Sequence, residues 1–176
     1  MTAVLSLDAR WQLASLSNLP VALSPWLLES ASLTARLKAH SSTFRLQLLG
    51  ESKMALPAFL QPCFPEPTGD CIRREVLMWC NHQPAVYAQS WLPAQSLQHL
   101  QQFALLGEQP LGELLFQFAD VVRSPIEVAQ LSLLTTDYPI AAADYWARRS
   151  VFTVAGQPLL VAEVFLPGVQ QLCIGS

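Results

Sequence analysis

Two ionisable side chains stand where apolar ones are expected, and their charges are opposite. Residues 158–167 read PLLVAEVFLP, an apolar run interrupted only by Glu163. Strand periodicity puts Leu159, Val161, Glu163 and Phe165 on one face and Leu160, Ala162, Val164 and Leu166 on the other. Neither face suits water, so the run predicts a buried strand with a carboxylate among apolar neighbours. That carboxylate costs several kcal/mol unless a cation or hydrogen-bond donors reach it. Residues 72–80, IRREVLMWC, supply a cation in the same situation. Alternation places Arg74, Val76, Met78 and Cys80 together, with Arg73, Glu75, Leu77 and Trp79 opposite. Arg74 faces no obvious local acid. Arg74 and Glu163 could close on each other as a salt bridge, or stand at the two ends of a pocket for a small polar anion. Glu163 could also meet water at a strand edge or serve a structural arginine pair.

Other chemistry is poorly supported. There is no GxSxG elbow. Gly107-Glu-Gln-Pro-Leu-Gly112 lacks the Lys-Ser/Thr of a phosphate loop and the strand before it. His40, His82 and His99 are far apart, and each is expected as a solvated surface imidazole. Cys63, Cys71, Cys80 and Cys173 form no CxxC pair and have no histidine at zinc-site spacing, so no metal is expected. They are expected to be buried or incidental thiols, with no Cys63–Cys71 disulfide in a reducing compartment. What remains is a reaction that needs placement and electrostatics more than a nucleophile.

The elements that must position these groups follow from patterning. Residues 8–15 predict a short helix. Ser24-Pro25 is a helix start, with Ser24 as cap. A further turn begins after Ser32, with Leu33 and Leu37 on one face. Residues 43–49 alternate as a half-buried strand. Residues 57–68, with four prolines, predict a loop. Residues 71–80 and 85–92 form a hairpin about Asn81-His82-Gln83-Pro84. Leu97, Leu100, Phe103 and Ala104 mark an amphipathic helix stopped at Gly107, and Pro110 starts another carrying Leu111, Leu114, Leu115 and Phe118. Residues 123–134 are extended. Residues 148–154 and 158–166 make a last hairpin about Ala155-Gly156-Gln157. The sum is a single α+β domain over 1–176, an antiparallel sheet of about six strands with three or four short helices.

Composition sets the limits. Charged residues are only 13% and hydrophobic ones 52% of the 176, which favours a large core and argues against disorder. A net charge of −3 offers nucleic acid no general attraction, so an anionic ligand needs locally placed cations. No apolar run reaches the ~20 residues of a membrane span. The first residues lack the basic region of a signal peptide, so a cytoplasmic location is expected.

The segments REVLMWC, PAVYAQSWLP, QPLGELLF, YWARRS and GQPLLVAEVFLP, in that order and spacing, resemble the chorismate pyruvate-lyase family from about Trp26 onward. The resemblance implies a cofactor-free lyase that converts chorismate to 4-hydroxybenzoate and pyruvate, the first committed step of bacterial ubiquinone synthesis. It implies short helices covering an internal ligand pocket. It implies ligand contacts at Leu33, Arg74, Leu111 and Glu163, with Arg74 and Glu163 catalytic. Leu33 and Leu111 lie at helix starts, where backbone N–H groups attract anions and the side chains can close over a ring. Arg74 offers a fork of donors to a carboxylate or to the ether oxygen, and Glu163 accepts from the ring hydroxyl. The implied partners are chorismate and 4-hydroxybenzoate, with the chain acting as a monomer.

Two departures stand out: Leu33 where a relative has Met, and Gln89 where it has Arg. If that Arg holds the pyruvyl carboxylate, this chain is weaker there or uses Arg73, Arg148 or Arg149 instead, although each of these is expected to be a solvent-facing strand charge. The same fold resembles the effector-binding domain of some bacterial transcription regulators, so a sensor without catalysis is the alternative. A non-catalytic carrier of an aromatic acid is a third reading.

Overall fold

A computed structural model describes residues 3–134 and 136–172. Cys173 lies outside the described residues. The strands in chain order are β1 (Gln12–Leu13), β2 (Phe44–Ala55), β3 (Asp70–Cys80), β4 (Gln83–Pro93), β5 (Val122–Arg123), β6 (Glu127–Leu133), β7 (Ala143–Val154) and β8 (Gln157–Phe165). The α-helices are short: α1 (Ser24–Leu27), α2 (Leu33–Ala39), α3 (Ala94–His99), α4 (Leu111–Leu115) and α5 (Pro167–Gln170). All strands pair antiparallel in one sheet of order β1-β6-β7-β8-β4-β3-β2, with β5 paired to β7. The sheet is therefore larger than the expected six strands. β1 and β5 are two residues each, too short to show alternation, and β6 begins after Pro125 inside what looks like one extended run.

Tight turns set the register of the two long hairpins. Asn81 and His82, at φ 51° and 65°, connect β3 to β4, and Ala155 and Gly156, at 49° and 77°, connect β7 to β8. Two successive residues at positive φ match the right-handed twist of the flanking strands, so the pairs close without splaying. Gly168 is required for a different reason. A Cβ there would stand 2.3 Å from the Pro84 carbonyl oxygen, so only glycine lets α5 seat on the start of β4.

The sheet is apolar on both faces. One face, with Leu77, Tyr87, Trp91, Leu160, Ala162 and Val164, is covered by the N-terminal segment through Leu5 and Leu7 and by Leu56, Leu60 and Phe64. Residues 8–15 are not a helix. Leu5 and Leu7 alternate inward, β1 joins the sheet edge, and only Ala14–Leu16 coil, as a 3-10 turn. Ala58–Cys63, expected as loop, also form a 3-10 turn. The opposite face, with Val76, Met78, Ala88, Val128 and Phe165, packs under α1 and α2 through Trp26, Leu27, Leu33 and Leu37. Farther along that face, Leu92, Phe152 and Leu159 meet Phe103, Leu111 and Leu115 of the α3–α4 region. The amphipathic segment before Gly107 breaks at Leu100 into α3 and a 3-10 turn, Gln101–Leu105. Leu23, not Ser24, occupies the cap position of α1. Cys63, Cys71 and Cys80 are free thiols.

Candidate active site

The face under α2 and α4 is where the chemistry collects. Alternation along β3 and β8 sends Arg74 and Glu163 to this face, as their apolar neighbours require. β4 lies between those strands, with Arg74 opposite Ser90, Ser90 opposite Val161, and Glu163 one pleat further along opposite Ala88. Two strand spacings, about 10 Å, therefore separate the two side chains across the sheet. They do not pair with each other. Each has its own partner, and both line one small pocket of about 40 Å³. Leu33 and Leu111 line it from above. The structure thus brings all four expected site residues together.

The roof is two helix starts. Ser32 caps α2 by accepting from the Ala35 N–H at 3.2 Å, which leaves the Leu33 and Thr34 amides as the leading donors of that turn. Pro110 has no N–H to satisfy and precedes Leu111 at the first turn of α4. The two helices meet closely. Thr34 Oγ1 lies 3.7 Å from where a Gly112 side chain would begin, and Lys38 of α2 pairs with Glu113 of α4. Thr34 is itself buried in the pocket wall, its hydroxyl 3.9 Å from Met78 Sδ.

Arg74 is only 2% exposed. Its Nη1 donates to Glu51 Oε1 at 2.8 Å and its Nη2 to the Gln109 carbonyl at 2.9 Å. Glu51 is its cross-strand neighbour on β2. The expectation of no local acid fails because β2 continues past residue 49 through a bulge between Leu48 and Gly50. Two of five guanidinium donors are committed, so others remain for a ligand.

Glu163 meets a cation that the sequence reading had placed in solvent. Arg148 is 1% exposed, and its Nε donates to Glu163 Oε1 at 2.9 Å. Its Nη1 also reaches the carbonyls of Trp26, Leu27 and Glu29, at 3.3, 3.1 and 2.7 Å. These oxygens lie at and just past the end of α1, and that of Trp26 also accepts from the Glu29 N–H at 3.3 Å. Arg148 therefore fixes both Glu163 and the segment that leads into α2. Beside it, Arg123 on β5 also lines the pocket. Its Nε donates to Ser150 Oγ at 3.0 Å and its Nη1 to Glu29 O at 3.1 Å. Burial, and then the nearby Arg148 charge, lower the Arg123 pKa to about 10, so it stays a cation at neutral pH.

The other two arginines considered for this pocket point away from it. Arg73 is buried on the far face beside Glu75, 3.3 Å away. Arg149 pairs with Glu127 at 3.1 Å and stacks on Trp11. None of the three is a solvent-facing charge, because both faces of the sheet are covered. Gln89 also belongs to the far face, where its Nε2 donates to the Leu5 carbonyl at 2.8 Å and to Tyr87 Oη at 2.9 Å. Its departure from the relative's Arg therefore leaves this pocket unchanged. His82 and His99 are exposed, whereas His40 is half-buried against the Arg36 carbonyl. Among the described residues, no three His, Cys, Asp or Glu side chains converge as a metal site, and no helix is long and apolar enough to cross a membrane.

An antiparallel sheet with a pocket under short helices is an α+β arrangement that solved structures share. The effector domain of PhnF from Mycobacterium smegmatis superposes with a TM-score of 0.56 at 15% identity, covering 78% of this chain and 89% of that one. The C-terminal domain of the histidine utilization repressor from Pseudomonas syringae gives 0.53 at 16%, covering 76% and 98%. Identities this low establish the fold alone. Sequence goes further: the profile of the family described as Chorismate lyase matches residues 5–172. A "Probable chorismate pyruvate-lyase" from Pseudoalteromonas translucida is 39% identical over 175 residues, 96% of this chain and 97% of the relative. One of the same name from Psychromonas ingrahamii is 36% identical over 156 residues, 81% of each. The chain belongs to the chorismate lyase family.

Proposed function

We propose that this pocket converts chorismate to 4-hydroxybenzoate and pyruvate. The observation that carries the reading is the placement of Arg74 and Glu163 at opposite ends of one apolar pocket roofed by Leu33 and Leu111. A ring acid with a carboxylate at one end and a hydroxyl at the other fits between them. The ring carboxylate takes the free donors of Arg74 and the amides at the starts of α2 and α4. The ring hydroxyl donates to Glu163, which Arg148 holds in place. Leu33 and Leu111 close over the ring faces.

Charge supports the same reading. Three arginines line the pocket against one lining carboxylate, Glu163. Glu51 answers Arg74 from a half-open position, which still leaves one cation in excess. Chorismate carries two carboxylates and suits such a site.

The reaction is an elimination. The ether bond to the three-carbon side chain breaks and its electrons go to the side-chain oxygen. The ring carbon bearing the hydroxyl loses its hydrogen as a proton, and the ring becomes aromatic. The departing enol takes a proton at its methylene carbon and becomes pyruvate. Atoms and charge balance with no redox partner, so no cofactor is required. Aromatisation drives the reaction, and the site contributes placement and charge stabilisation. The family resemblance assigns the step to ubiquinone synthesis in the cytoplasm, performed by a monomer.

Incubating purified protein with chorismate tests the proposal. Equal amounts of 4-hydroxybenzoate and pyruvate should form, unaffected by EDTA. Tight binding of 4-hydroxybenzoate without turnover would instead make the chain a sensor or a carrier.

A further inference from the structure

Arg123 presents a cation to the pocket that the positioning of Glu163 does not require. Arg148 already pairs with Glu163 directly. Among the described residues, no carboxylate lies within the 4 Å of an ion pair from Arg123, whose hydrogen bonds go to neutral oxygens of Ser150, Glu29 and Ser30. Its guanidinium is stacked on Phe152, 4.9 Å from the ring centre, and Phe152 lines the same pocket. Two guanidinium groups thus stand at this end of the site, and only Arg148 pairs with its lining carboxylate. Packing a second cation beside Arg148 is unfavourable, and it is that proximity, after burial, that lowers the Arg123 pKa. An anion arriving there relieves both the repulsion and the desolvation.

We propose that Arg123 is the binding residue for a second ligand carboxylate, the one on the three-carbon side chain that leaves. The inference rests on the proposed reaction and deepens it. The side chain of chorismate is attached next to the ring hydroxyl. A hydroxyl on Glu163 therefore directs that side chain toward the Arg123–Arg148 end and away from Arg74. Arg123 would then distinguish the substrate, with two carboxylates, from the product, with one.

Two measurements test it. In the first, Arg123→Gln and Arg123→Lys are compared with wild type for chorismate KM, 4-hydroxybenzoate affinity by calorimetry, and Tm. Losing a charge-assisted hydrogen bond should raise KM roughly 10- to 100-fold. Product affinity should change by less than about threefold. Lys should recover part of the loss. A parallel fall in substrate and product affinity, or no change in either, would show Arg123 to be only a clamp on the segment before α2 and would overturn the inference. The second measurement uses wild type alone and needs no variant to fold. A ring acid bearing a carboxymethoxy group beside the hydroxyl, 3-carboxymethoxy-4-hydroxybenzoate, is titrated against its 3-ethoxy counterpart, which keeps only the ring carboxylate. Preference for the dicarboxylate supports the subsite, and equal binding removes it. If wild type binds neither 4-hydroxybenzoate nor chorismate, the proposed reaction itself is wrong, and that result is separate from either failure above.

Discussion

Arg148 Nε donates to Glu163 Oε1 at 2.9 Å across directly paired positions of β7 and β8, and the same guanidinium holds three carbonyls at the end of α1. One buried cation therefore joins the acid end of the pocket to the segment that carries its roof. Arg148→Met should cost about 3–5 kcal/mol, because it leaves the Glu163 charge buried without a partner. Urea unfolding reads this directly. Adding Glu163→Leu should recover part of that loss, since no charge is then stranded, but not all of it, since the Leu27 carbonyl loses its donor and those of Trp26 and Glu29 each lose one of two. A double variant no more stable than Arg148→Met would contradict this account of the pair.

Glu163→Gln separates charge from shape. The amide oxygen still accepts from Arg148, so the fold should survive with a modest drop in Tm. Turnover should fall by at least about tenfold if the carboxylate orients the ring hydroxyl or takes its proton. Wild-type turnover with a lowered Tm would make Glu163 a purely structural partner of Arg148.

Arg74→Lys keeps a charge and loses the planar fork. Arg74 divides its donors between Glu51, the Gln109 carbonyl and the pocket, and an ammonium cannot serve all three directions. A fall in turnover of about a hundredfold is expected, comparable to losing one strong transition-state donor. Steady-state kinetics on a folded Arg74→Lys protein checks it, and unchanged kcat/KM would refute it.

Leu33 occupies the first position of α2, which allows its amide and its side chain to be tested separately. Leu33→Met changes volume little and should cost less than about 1.5 kcal/mol of product affinity. Leu33→Ala opens the roof and weakens product binding. Leu33→Pro removes the N–H at a position that tolerates proline, so the helix should persist. Its loss of 4-hydroxybenzoate affinity should exceed that of Leu33→Ala in calorimetry. A folded Leu33→Pro protein that binds as tightly as wild type would rule out an amide anchor.

The thiols offer a pH-dependent check on the packing. Burial pushes Cys71 up to about 11 and raises Cys63 and Cys80 as well. A raised thiol pKa leaves the unreactive protonated form dominant near neutrality, and reactivity grows only as pH climbs toward that value. Mass spectrometry after alkylation at pH 8 should find these three cysteines largely unmodified in native protein and modified in urea. Rapid native labelling of Cys71 would contradict its burial under Leu56 and Phe64.

Much of the site was legible because strand alternation and helix starts are local signals. Local signals put Arg74 and Glu163 on apolar strand faces and Leu33 and Leu111 at helix starts, whereas the choice of Leu33 and Leu111 as ligand contacts rests on the family resemblance. The partner of Glu163 was harder, because it depends on the length of one turn. With a three-residue connection centred on Gly156, Glu163 faces Arg149. The actual two-residue turn at Ala155 and Gly156 brings Arg148 opposite it. Arg148 is expected from the sequence as a solvent-facing charge, and the cover over its face comes from the distant segment after α1, which leaves no local signal. Glu51 was missed for a related reason: a bulge carries β2 on where its alternation ends. Arg123 gave no usable signal, since β5 has only two residues and its pocket position depends on pairing with β7.

The most direct test of the site is a crystal structure of the protein with 4-hydroxybenzoate. The account predicts the ring between Leu33 and Leu111, its carboxylate on Arg74 and the amide at the start of α4, and its hydroxyl on Glu163. A ligand bound elsewhere, or reversed with its carboxylate at the Glu163 end, would contradict it.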